Sequence, residues 1–67
     1  MSVAKNIEIT STSTVGFEDA IKKGIDRASK TIENIRGAWI KEQKVVIADG
    51  NVTEYCVMMI LTFVLSD

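Results

Sequence analysis

The stretch "YCVMMILTFVL", Tyr55 to Leu65, constrains the fold of this chain most strongly. A strand alternates its side chains between two faces. Here Tyr55, Val57, Met59, Leu61, Phe63 and Leu65 fall on one face, and Cys56, Met58, Ile60, Thr62 and Val64 on the other. Both faces are therefore apolar. A chain of 67 residues must find cover for each of them.

That length holds one core, so residues 1–67 read as a single domain. Domains this small bury a modest fraction of their surface and commonly need a staple. One cysteine makes no internal disulfide, and with no histidine the usual zinc sites are excluded. Association with other copies is the staple that remains. The apolar run is too short for a spanning helix, which needs roughly 18 to 20 residues. The N-terminal "MSVAKNIEIT" has no apolar signal core. A lone reduced thiol without a secretion signal points to the cytoplasm. The net charge of −1 is evenly spread, with no basic stripe, which argues against nucleic-acid binding.

Along the chain, Val3 to Thr10 alternates as a strand, with Val3, Lys5, Ile7 and Ile9 on one face. "STST" breaks the pattern, and Thr12 or Ser13 is placed to cap a helix. From about Thr14 to Glu33 the period becomes helical: Phe17, Ile21, Gly24, Ile25, Ala28, Ile32 and Ile35 follow steps of three and four. The far side carries Glu18, Lys22, Asp26 and Lys30, with Asp19 and Lys23 as a second pairing. Such i,i+4 pairs contribute about 0.2 to 0.5 kcal/mol each and mark a solvated face. Gly24 in mid-helix suggests close approach of another backbone. Arg36 to Ile47 reads as a second strand, with Ala38 and Ile40 on one face and Gly37, Trp39, Lys41 and Gln43 on the other. Asp49–Gly50 is a hairpin signal, and Thr53 to Leu65 is the third strand.

The expected fold is α+β, in the order β-α-β-β, a three-stranded antiparallel sheet wrapped on one helix. Phe17, Ile21, Ile25, Ala28 and Ile32 would cover the Tyr55-to-Leu65 face. Cys56, Met58, Ile60 and Val64 would then stay uncovered. Exposing each large apolar side chain forgoes roughly 1.5 to 3 kcal/mol, and the resulting patch would mark an interaction site.

Several short pieces, in this order and spacing, resemble the dodecin family. They are "K-N-I-E-I" from Lys5 to Ile9, "T-S" at Thr12–Ser13, "G-F-E-D-A-I" from Gly16 to Ile21, and "D-R-A-S-K-T-I" from Asp26 to Ile32. "E-Y" at Glu54–Tyr55, followed by a strand ending "F-V-L", completes the set. The resemblance implies a hollow homododecamer, with copies of the chain as its partners. It also implies a non-enzymatic protein that stores or shields flavin, held between subunits. In the family a Trp early in the second strand stacks on the flavin ring, and a Gln after the third-strand Tyr hydrogen-bonds it. Aligning "T-I-E-N-I-R" places Gly37 at the Trp position, and aligning "E-Y" places Cys56 at the Gln position. Trp39, two residues on, offers a displaced stacking surface, with Gln43 further along the same strand.

The stretch Asn34 to Gln43 is closer to a branch that lacks the flavin tryptophan, some of whose members are associated with calcium. Calcium takes six to eight oxygen ligands. Glu8, Glu42, Asp49 and Glu54, lying on or beside strands, are candidates only if several subunits each supply one carboxylate. The alternative expectation is thus a shell that binds no flavin and instead holds calcium or another small ligand, or serves as an assembly alone. Catalysis finds no support: without histidine, Cys56 lacks the usual base, and a thiol buried in an apolar strand is a poor nucleophile.

Overall fold

The computed structural model describes residues 2–65. Its elements are β1 (Ala4–Ser13), α1 (Phe17–Ser29), β2 (Ile35–Ala48) and β3 (Asn51–Val64). The sheet is antiparallel with the order β1-β3-β2, so the doubly apolar strand is the central one. This is the expected β-α-β-β architecture. A strand with neighbours on both edges gains flanking side chains on both faces, which suits its composition.

The first strand runs three residues past its expected end. Ser11, Thr12 and Ser13 pair with Val57, Cys56 and Tyr55, so "STS" continues the ladder instead of breaking it. The helix cap also differs from expectation. The residue preceding α1 is Gly16, and no side chain caps the helix. Ser13 Oγ instead accepts from the Val15 N–H at 2.9 Å and the Gly16 N–H at 3.4 Å, and donates to Asp19 at 2.5 Å. One buried hydroxyl thus fixes the connection into the helix. Glu18 and Asp19 in the first turn and Arg27 in the last complement the helix dipole. Glu18–Lys22 and Asp19–Lys23 form the expected i,i+4 pairs.

The helix ends at Ser29, four residues before Glu33. Ser29 Oγ donates to the Ile25 carbonyl, and the N–H groups of Thr31 and Ile32 both bond to Ala28. Asn34 then takes a left-handed φ of 64°, and its carbonyl accepts from Val64 N–H at 3.0 Å. That bond seats the start of β2 against the end of β3.

The core lies between α1 and the sheet. Ala20, Val57, Met59 and Leu61 are fully buried, with Ile7, Ile9, Phe17, Ile21, Ile25, Ala28, Ile35 and Ile40 around them. Phe17 meets Tyr55 edge-on, with centroids 5.2 Å apart, and closes one end. Leu65, expected beneath the helix, lies outside β3 and is exposed. Gly24 is buried where the helix comes closest to the sheet. A Cβ there would stand 2.6 Å from Met59 Cε and 3.0 Å from Ser11 Cβ. The expected close approach is real.

The helix packs on β1 and β3. The β2–β3 hairpin therefore runs on beyond it, giving a body 51 × 20 × 13 Å. Asp49 and Gly50 both have positive φ, 53° and 77°. These values belong to a type I′ turn, whose twist matches that of the strands. Val45, Val46, Ile47 and Val52 near this tip are exposed.

Candidate functional site

The sheet face away from the helix is where the expected site residues must be sought. Directly opposed residues in an antiparallel pair share a face. Two neighbouring rows cross this face. Asn6, Thr62 and Gly37 make one, and Glu8, Ile60 and Trp39 make the next. Further rows follow as Thr10, Met58 and Glu42, then Thr12, Cys56 and Lys44.

This face is less bare than the alternation implies. Cys56, expected to be uncovered, is only 5% exposed. Thr12 and Lys44 flank it in register, and so small a side chain is shielded from both sides. Met58, Ile60 and Val64 are half-buried. What stands out of the face is Trp39, at 66% exposure.

The four residues considered for flavin contact do not converge within one subunit. Gly37 and Trp39 adjoin. Cys56 lies six residues along β3 from Thr62, the partner of Gly37. At about 3.3 Å per residue that is roughly 20 Å away. Gln43 does not share the Trp39 face, contrary to the alternation read from the sequence. The register slips between Ile40 and Glu42, which leaves Gln43 opposite Val57, in a row on the helix side of the sheet. One extra residue in a bulge exchanges the faces of everything beyond it. Thr53 adds a second irregularity near the tip, where its hydroxyl donates to the Val46 carbonyl at 3.1 Å.

Around Trp39 the surface forms a notch. Nothing lies within 4 Å of the place a Cβ would take on Gly37, so the space beside the indole is open. On the other side, Lys41 Nζ donates to Glu8 Oε1 at 3.1 Å, across the central strand. Beyond Gly37 in its own row, Thr62 Oγ1 donates to Asn6 Oδ1 at 2.7 Å. An exposed ring, an empty floor and a polar rim are the parts from which a flat aromatic ligand site is built.

The sequence reading missed Asn6 and Thr62 as members of this site. They are 56 positions apart, and only the β1–β3 register joins them.

A separate shallow concavity of about 430 Å³ lies between α1 and β1, lined by Ile7, Ile9, Gly24 and Ala28 and rimmed by Lys23 and Arg27. It belongs to the helix side of the sheet and does not communicate with the Trp39 notch. Among the described residues, no three of the types His, Cys, Asp and Glu gather into a metal-binding group, so Glu8, Glu42, Asp49 and Glu54 are not assembled by one chain. Among those residues no helix is long and apolar enough to cross a membrane.

The chain has clear relatives. The Dodecin family model matches residues 3–66. The Thermus thermophilus dodecin is 34% identical over 65 residues, covering 97% of this chain and 94% of that one. The crystallised dodecin from Streptomyces davaonensis superposes with a TM-score of 0.94 at 30% identity, covering 98% and 97% of the two chains. The calcium dodecin of Mycobacterium tuberculosis, a calcium-chelating antigen with a calcium-binding site, gives a TM-score of 0.83 at 29% identity, covering 97% and 93%. With the element order, the strand register and a family match over nearly its whole length in agreement, the chain belongs to the dodecin family.

Proposed function

We propose that this protein is a non-enzymatic binding and storage shell, a hollow homododecamer of the cytoplasm. It holds a flat aromatic ligand of the flavin type against Trp39, where copies of the chain meet. The observation that carries the reading is Trp39 itself. A tryptophan two-thirds exposed beside the open space at Gly37 leaves a large ring face in water. A stacked ligand would cover it, and aromatic pairs contribute about 0.5 to 1.5 kcal/mol beyond area burial. The family's stacking residue is displaced by two positions along the strand, about 7 Å, so the ligand would sit nearer the hairpin. The missing glutamine at Cys56 removes the family's polar contact.

The test is a riboflavin titration followed by flavin fluorescence. Quenching at micromolar protein is expected, and Trp39→Ala should weaken it at least tenfold. Undiminished fluorescence at those concentrations would end the flavin reading.

A second reading, a calcium-holding shell, is favoured by the likeness to the calcium dodecin. One chain gathers no ligand cluster among its described residues, so such a site needs carboxylates from several copies. Bound calcium should raise the melting temperature by mass action. Identical melting curves in millimolar calcium and in chelator would remove it.

A further inference from the structure

The polar rim of the Trp39 notch has a hydrogen-bonding direction, and that direction selects a ligand. Thr62 Oγ1 spends its proton on Asn6 Oδ1, at 2.7 Å. The Thr62 oxygen is then left as an acceptor. The Asn6 amide, its oxygen engaged, presents two N–H donors. Acceptor and donor thus lie side by side on the free sheet face, in the row that contains Gly37.

We infer that Asn6 and Thr62 together read the edge of the bound ring, and that the ligand is a fused heteroaromatic with a lactam or imide edge. A ring carbonyl would accept from Asn6 Nδ2 while the adjacent ring N–H donates to Thr62 Oγ1. The distances suit such a ligand. Strands stand about 4.8 Å apart, so Asn6 lies roughly 10 Å from Gly37 across β3. A two- or three-ring system lying over Gly37 against Trp39 spans that interval. Thr62 is short and Gly37 has no side chain, so nothing in the row obstructs it. The Glu8–Lys41 pair closes the opposite side and neutralises its own charge.

This inference rests on the Trp39 platform, and the experiment separates the two. The probes are lumiflavin, which carries an unblocked imide edge, and N3-methyllumiflavin, in which a methyl replaces the edge proton. Both are titrated by fluorescence into the wild-type protein and into Asn6→Ala, Thr62→Val, Thr62→Ser and Trp39→Ala. Circular dichroism and light scattering check that each variant keeps its fold and mass. The wild type should prefer lumiflavin by about fivefold to tenfold, the worth of one or two net hydrogen bonds. Asn6→Ala and Thr62→Val should abolish that preference by weakening lumiflavin alone, and Thr62→Ser should retain it. Trp39→Ala should weaken both probes. If Asn6→Ala and Thr62→Val bind both probes like the wild type, the edge-reading role is overturned while the platform stands. If the wild type binds neither probe, both fall.

Discussion

A single added methyl probes how tightly the helix and the sheet are joined. Gly24→Ala gains about 1 kcal/mol of helix propensity. It also drives a carbon into Met59 Cε, which can swing aside, and toward Ser11 Cβ, which the strand holds in place. Overpacking of this kind costs about 1 to 3 kcal/mol, so a net loss on the order of 1 kcal/mol is expected, seen as a lower urea midpoint. Ser13→Ala should cost a similar amount, about 1 to 2 kcal/mol, because a buried hydroxyl that satisfies two loop N–H groups would be lost. The Ser13 hydroxyl, followed by Lys23, holds the Asp19 carboxyl below its ordinary value of 3.8. A depressed carboxylate contributes stability that is full above that value and is lost as the pH falls through the lower, folded one. Asp19→Asn should therefore flatten the acid limb of the stability curve below about pH 4, as measured by urea melts at stepped pH. Residues of this kind were unevenly legible. Gly24 announced itself by standing mid-helix, and Trp39 by lying near the family's stacking position. Gln43 was placed on the wrong face because a bulge leaves no mark in the alternation. Asn6 and Thr62 could not be joined at all, since their meeting is a matter of strand register.

Among the elements, the hairpin has the firmest local signal and the helix ends the weakest. Asp49–Gly50 is one of the few dipeptides that accept positive φ at both positions, and the chain uses it so. Gly50→Ala places a Cβ in the left-handed region, which costs about 1 to 2 kcal/mol. Asp49→Gly should be nearly neutral by the same argument. Thermal melting of the two variants would show this contrast, and equal midpoints would contradict it. The strands of the hairpin were legible from their alternation and β-branched content. The limits of α1 were not. Helical periodicity continued to Ile32 and Ile35, but those side chains reach the core from the connection and from β2. "STS" looked like a break because serine and threonine favour turns and caps. Three ladder pairs to β3 outweighed that preference.

The molecule as a whole is longer than its core. The helix covers β1 and β3, while the tip of the hairpin extends past it with Val45, Val46, Ile47 and Val52 in water. The doubly apolar β3 argued from the start for association, and the tip adds to that demand. Light scattering should return a mass near twelve times 7.4 kDa. A folded monomer in dilute solution would contradict the shell. The overhanging tip has a kinetic consequence as well. Its ladder has no helix of its own chain to lean on, so the last step of maturation has to be an encounter between copies. Refolding from denaturant should then show a slow phase whose rate climbs with protein concentration, with hydrogen–deuterium exchange at Val46 and Ile47 arrested only in that phase.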